Sequence, residues 1–79
     1  MNAADVQQTV LEALAKRLNL DASTIDPDEP LRDLPSMESV VMLQVVVDIE
    51  DALEMTIPDD VAFEAVTARE LAGVLVDLR

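Results

Sequence analysis

Ser39 is the residue in this sequence best placed to carry chemistry. It follows Glu38 directly after a loop containing Pro35, at the point where a helical pattern begins. A helix N-terminus has partial positive charge and N–H groups without partners, which favours a phosphate group there. A serine at that point can bear a phosphodiester with little strain. The local sequence leaves a second reading open, in which Ser39 or Ser36 only caps the helix.

Most other chemistry is excluded by composition. The 79 residues contain no histidine, which removes the usual general base near neutral pH and the commonest metal ligand. They contain no cysteine, so disulfides and thiolate metal sites are absent too. One glycine makes no phosphate-cradling loop, and no base stands beside a serine, so a catalytic triad is excluded. The acidic loop from Asp21 fails as a calcium loop. It has Ile25 at the fifth position, Asp26 where an EF-hand needs glycine, and Arg32 where it needs glutamate. The reading is a protein that is not an enzyme and holds no metal.

Charge narrows the partners. Seventeen acidic and five basic side chains give a formal net charge of −12. That repels nucleic acid and anionic membrane and favours basic protein surfaces. It also serves simply to keep a small domain soluble. The N-terminus lacks the basic start and apolar run of a signal peptide, and no apolar stretch is long enough to span a bilayer. A soluble, cytoplasmic, free-standing monomer is expected, as one domain over residues 1–79.

The elements that must position Ser39 follow from periodicity. An apolar fraction of 51% with Phe63 as the one aromatic residue suits a core of packed helices built from aliphatic side chains. Residues 5–18 read as an amphipathic helix with Val6, Val10, Ala13 and Leu14 on one face, closed by Asn19. Residues 21–34 hold Pro27 and Pro30 and read as a long loop, with Ile25, Leu31 and Leu34 as pegs against the core.

A second helix runs over residues 38–54. The run Val45-Val46-Val47 favours a strand locally, but the longer helical spacing of Met42, Val45, Val46, Ile49 and Leu53 outweighs it. Ile57-Pro58-Asp59-Asp60 marks a break and opens a short third helix, about residues 59–63. Thr67-Ala68-Arg69-Glu70 is a capping box for a last helix with Leu71, Val74, Leu75 and Leu78 inward. Gly73 lies inside that helix, where close packing is the one reason apparent. The fold class is all-α, a four-helix bundle with a long first loop and a short third helix.

The second helix carries a further apolar stripe. Val40, Leu43 and Val47 start beside Ser39 and point away from the inward face, and Glu50, Asp51 and Glu54 continue them as an acidic end. Such a stripe reads as a docking surface, with charge steering a basic enzyme to it. The alternative is that the bundle buries both faces of its central helix.

From Leu31 to Leu78, and more loosely from Val6, the chain resembles acyl and peptidyl carrier proteins. Their hallmark Asp-Ser-Leu opens a recognition helix that ends before an Ile-Pro-Asp turn. Here the hallmark reads Glu38-Ser39-Val40 and the turn Ile57-Pro58-Asp59. Counting back from that turn aligns Ser39 with the family's modified serine, whereas Ser36 is three residues out of register. Two substitutions depart from the hallmark, Glu38 for aspartate and Val40 for leucine. The loop Leu34-Pro35-Ser36-Met37-Glu38 is one residue longer than the family's usual glycine-containing loop.

The resemblance implies an acyl-carrier-like bundle with 4′-phosphopantetheine attached covalently to Ser39. A phosphopantetheinyl transferase would install it using coenzyme A and magnesium. Its thiol would hold an acyl or aminoacyl thioester, with Glu38 joining the docking stripe. Implied partners are a loading ligase and acyltransferase or synthase enzymes with basic docking surfaces. The unusually apolar second helix leans towards polyketide or nonribosomal aminoacyl assembly. Fatty-acid and D-alanyl carriers remain alternatives, as does an unmodified carrier-like adaptor.

Overall fold

Val6, Val10 and Leu14, four residues apart, are fully buried in the computed structural model, which describes residues 2–78. They lie on helix α1 (Ala3–Leu18), which packs against both helix α2 (Ser39–Leu53) and helix α4 (Ala68–Leu78). Contact on two sides explains why α1 also buries Leu11, Ala15 and Leu18, a wider stripe than the four positions expected. The helix starts two residues early because Asn2 caps it, its side chain accepting the Asp5 N–H at 2.9 Å. Asn19 ends it in the left-handed region, φ 58°, and the Leu20 N–H turns back to the Ala15 carbonyl at 2.9 Å.

The α2 face expected to be inward, Met42, Val45, Val46, Ile49 and Leu53, is the buried set of that helix. Tertiary packing overrides the strand preference of the valine run. A short helix α3 (Asp59–Glu64) contributes the fully buried Ala62. With four helices and no strand among the described residues, the fold is the all-α bundle read from periodicity. No described helix is long and apolar enough to cross a membrane.

The long loop is more ordered than its prolines alone imply. Ile25, Leu31 and Leu34 are buried pegs, and single 3-10 turns form at Ala22–Thr24 and Leu31–Asp33. The first turn is capped by Asp21, which accepts the Ser23 N–H at 3.0 Å and hydroxyl at 2.8 Å; these bonds hold its carboxyl below the ordinary value. The loop is also tied to the start of α4. The Leu31 N–H reaches the Val66 carbonyl at 2.8 Å, and the Arg69 N–H reaches the Pro27 carbonyl at 3.0 Å. The Arg69 guanidinium grips Asp28 at 2.6 and 3.2 Å, which keeps that carboxyl below its ordinary value.

Helix α4 corrects two expectations. It buries Ala68, Leu71, Ala72 and Leu75, while Val74 is half-buried and Leu78 exposed. At 100° per residue the mean direction of the buried four leaves Leu78 roughly 70° and Val74 roughly 110° off the seam. Ala68 and Ala72 lie on the buried side and shift the seam towards them. Gly73 is not a close-packing site, because a methyl group added there meets nothing within 4 Å. Gly73→Ala is therefore expected to stabilise the protein by about 0.5–1 kcal/mol. An unchanged or lower urea midpoint contradicts this.

Candidate functional site

Ser39 is the first residue of α2, and its side chain is exposed. The first helical hydrogen bond runs from the Met42 N–H to the Glu38 carbonyl at 2.9 Å. That leaves the Ser39, Val40 and Val41 N–H groups without intrahelical acceptors. Glu38, the cap residue, has extended backbone and makes no side-chain capping bond. The serine hydroxyl thus stands at an uncapped, electropositive helix end, open to solvent.

The approach to α2 is a tight turn. The Met37 N–H donates to the Leu34 carbonyl at 3.2 Å, and Ser36 between them takes φ 65°. Proline at the second position and positive φ at the third are the pattern of a type II turn. Ser36 stands where such a turn usually favours glycine.

Beside Ser39 lies an open cleft of about 380 Å³. Buried Leu31, Met42 and Ala62 form its apolar floor, and Arg32, Glu38 and Ser39 are part of its polar rim. Exposed Phe63 and Val66 add an apolar wall. A flexible arm carrying a phosphodiester, amides and methylene groups matches such a mixed lining, so the residues present fit phosphopantetheine. Sequence periodicity missed Arg32, Phe63 and Val66, which come from three separate segments. The one available signal was the sole aromatic residue on a very short helix.

The second α2 stripe stays uncovered, with Val40 55%, Leu43 40% and Val47 53% exposed. Asp51 and Glu54 are exposed at its far end. Glu50 differs, being half-buried and accepting the Ile57 N–H at 2.7 Å. Its backbone carbonyl also accepts the N–H groups of Glu54 and Met55, so this residue suspends the turn that follows α2. Glu50→Ala is expected to cost about 1–3 kcal/mol, the range for orphaning a partly buried donor. Glu50→Gln, which keeps an acceptor, should lose less. Greater stability in Glu50→Ala would mean that relief of charge repulsion outweighs the bond. On the opposite side, Asp48 is gripped by Arg17 of α1 at 2.7 and 3.0 Å, which holds its carboxyl below the usual range. Among the described residues no acidic cluster is arranged to hold a metal ion.

An uncapped helix mouth with an exposed serine is an arrangement able to carry a phosphodiester. Residues 8–75 match the family model described as phosphopantetheine attachment site. An acyl carrier protein of Rubrobacter xylanophilus is 27% identical over 77 residues, 98% of this chain and 95% of the relative. An acyl carrier protein of Exiguobacterium sibiricum is 29% identical over 75 residues, 95% of each chain. The chain belongs to the phosphopantetheine-attachment family of carrier proteins. It is a carrier and not a catalyst, and its prosthetic group is covalent 4′-phosphopantetheine. Like carriers in general, it works with phosphopantetheinyl transferases and with synthase or acyltransferase enzymes.

Proposed function

We propose that Ser39 is the attachment residue, and that the protein acts as one domain over residues 1–79, a cytoplasmic monomer presenting acyl or aminoacyl thioesters for polyketide or nonribosomal assembly. The observation that carries the reading is the exposed Ser39 at the first turn of α2. In the attachment step Ser39 Oγ forms a bond to phosphorus of coenzyme A. The pyrophosphate P–O bond breaks, adenosine 3′,5′-bisphosphate leaves, and the serine proton passes to a base of the transferase. The chain has no histidine to offer for that role. Once bound, the arm supplies the thiol on which cargo is held.

Docking is assigned to Glu38, Val40, Leu43, Val47, Glu50, Asp51 and Glu54. Apolar exposure beside the serine supports contact, and the acidic end supports steering of enzymes with basic surfaces, a loading ligase among them. Glu50 takes part through its charge while its carboxylate stays bonded to the chain. The low polarity of α2, with Val40, Val41 and Val47 on or near its surface, supports assembly-line rather than fatty-acid partners. The decisive experiment is intact-mass measurement after incubation with coenzyme A, magnesium and a broad-specificity transferase. A gain of one arm that maps to the Ser39 peptide is expected. No gain would make the chain an unmodified adaptor, and a gain elsewhere would remove Ser39 from its role.

A further inference from the structure

The arm brings another negative charge to a protein already at −12, beside Glu38. The open helix end favours it, and a cation in the same cleft would add to that. Of the five basic residues, Arg17 and Arg69 are held bidentately by Asp48 and Asp28. Lys16 lies on α1, and Arg79 is outside the described residues. Arg32 remains. It is exposed, forms no ion pair among the described residues, and is the one cationic side chain lining the cleft that Ser39 also lines.

Resting on the reading that Ser39 bears the arm, we infer that Arg32 is the phosphate clamp of the holo-protein, its guanidinium binding the phosphodiester at the α2 N-terminus. Three features join in this. The planar fork of arginine matches two phosphate oxygens. The open N–H groups of Ser39, Val40 and Val41 face the same anion from the helix end. The 3-10 turn that carries Arg32 is anchored by buried Leu31 and by the Leu31–Val66 backbone bond, so the cation is presented from a fixed base. Clamping the phosphate sets the direction in which the arm leaves the helix. The bias is modest, about two- to fivefold, as for an exposed ion pair, so the arm can still be drawn out by an enzyme.

The test uses holo-protein prepared to completion from wild type, Arg32→Gln, Arg32→Lys and Arg32→Ala, with attachment at Ser39 verified by peptide mass. Phosphorus NMR is recorded at low salt and at about 1 M NaCl, where screening shortens to roughly 3 Å. In wild type the phosphodiester resonance should move with salt towards that of a phosphopantetheinylated serine peptide. Arg32→Gln and Arg32→Ala should lose the salt-dependent part, and Arg32→Lys should keep a fraction of it. Backbone spectra check folding, and the glutamine variant serves if the alanine variant does not fold. Identical salt responses in wild type and Arg32→Gln, with the arm mapped to Ser39 in both, overturn the clamp alone. Failure to find the arm on Ser39 overturns the attachment assignment and the clamp with it.

Discussion

Ser39→Ala is expected to eliminate arm attachment entirely, with helical content unchanged, while Ser36→Ala takes up one arm like the wild type. The two serines are three residues apart and both exposed, so proximity alone does not separate them. Their backbones do. Ser39 begins α2 with the free N–H groups of that helix about it, whereas Ser36 occupies the left-handed position of the preceding turn. A phosphodiester formed at Ser39 is met by the helix dipole, and one at Ser36 is not. Alanine keeps the β-carbon at either site, so neither change alters backbone preference much. Intact mass and peptide mapping read the result directly. A residual gain of one arm in Ser39→Ala would move the attachment point and discard the helix-mouth argument.

The second large effect separates the two faces of α2. Ile49 is fully buried and Leu43 is 40% exposed, though six residues apart on one helix. Ile49→Ala should cost about 2–5 kcal/mol through lost burial and an unfilled cavity. A domain of this size has only about 4–12 kcal/mol of stability in all, so the urea midpoint should fall by roughly a sixth or more. Leu43→Arg should instead change stability by about 1 kcal/mol or less, since the side chain is already partly in water and the long arginine stem can lie along the same surface. Its effect belongs to docking. A cation in the middle of an apolar stripe with an acidic end opposes a basic partner and should lower transfer kcat/KM by about tenfold or more. Loss of helicity in Leu43→Arg would make Leu43 a core residue and withdraw the docking face.

Much of this fold is written in local spacing. Met42, Val45, Val46, Ile49 and Leu53 declare an inward helical face, and the valines inside that run do not disturb it. Thr67 declares the start of α4, where its hydroxyl accepts the Glu70 N–H at 3.1 Å. The position of Ser39 at a helix mouth was legible for the same reason, a proline-containing loop followed by a periodic apolar run. Less legible were the places where an element's neighbour sets the outcome. The α4 seam shifted towards Ala68 and Ala72, because which side of a helix a partner approaches depends on the bulk of both surfaces. Glu50 resembled its acidic neighbours in sequence until the turn after α2 brought the Ile57 N–H to it.

The amino-acid sequence by itself determined the helices, their apolar faces and the serine at the entry to α2, because a 3.6-residue repeat and a cap are encoded within a few residues of one another. Tertiary structure alone decided that Arg32, Phe63 and Val66 meet Ser39 around one cleft, and that Val40, Leu43 and Val47 stay uncovered. Those relations join segments far apart along the chain, and they exist only once closing the loop and packing α1 between α2 and α4 have fixed the distances.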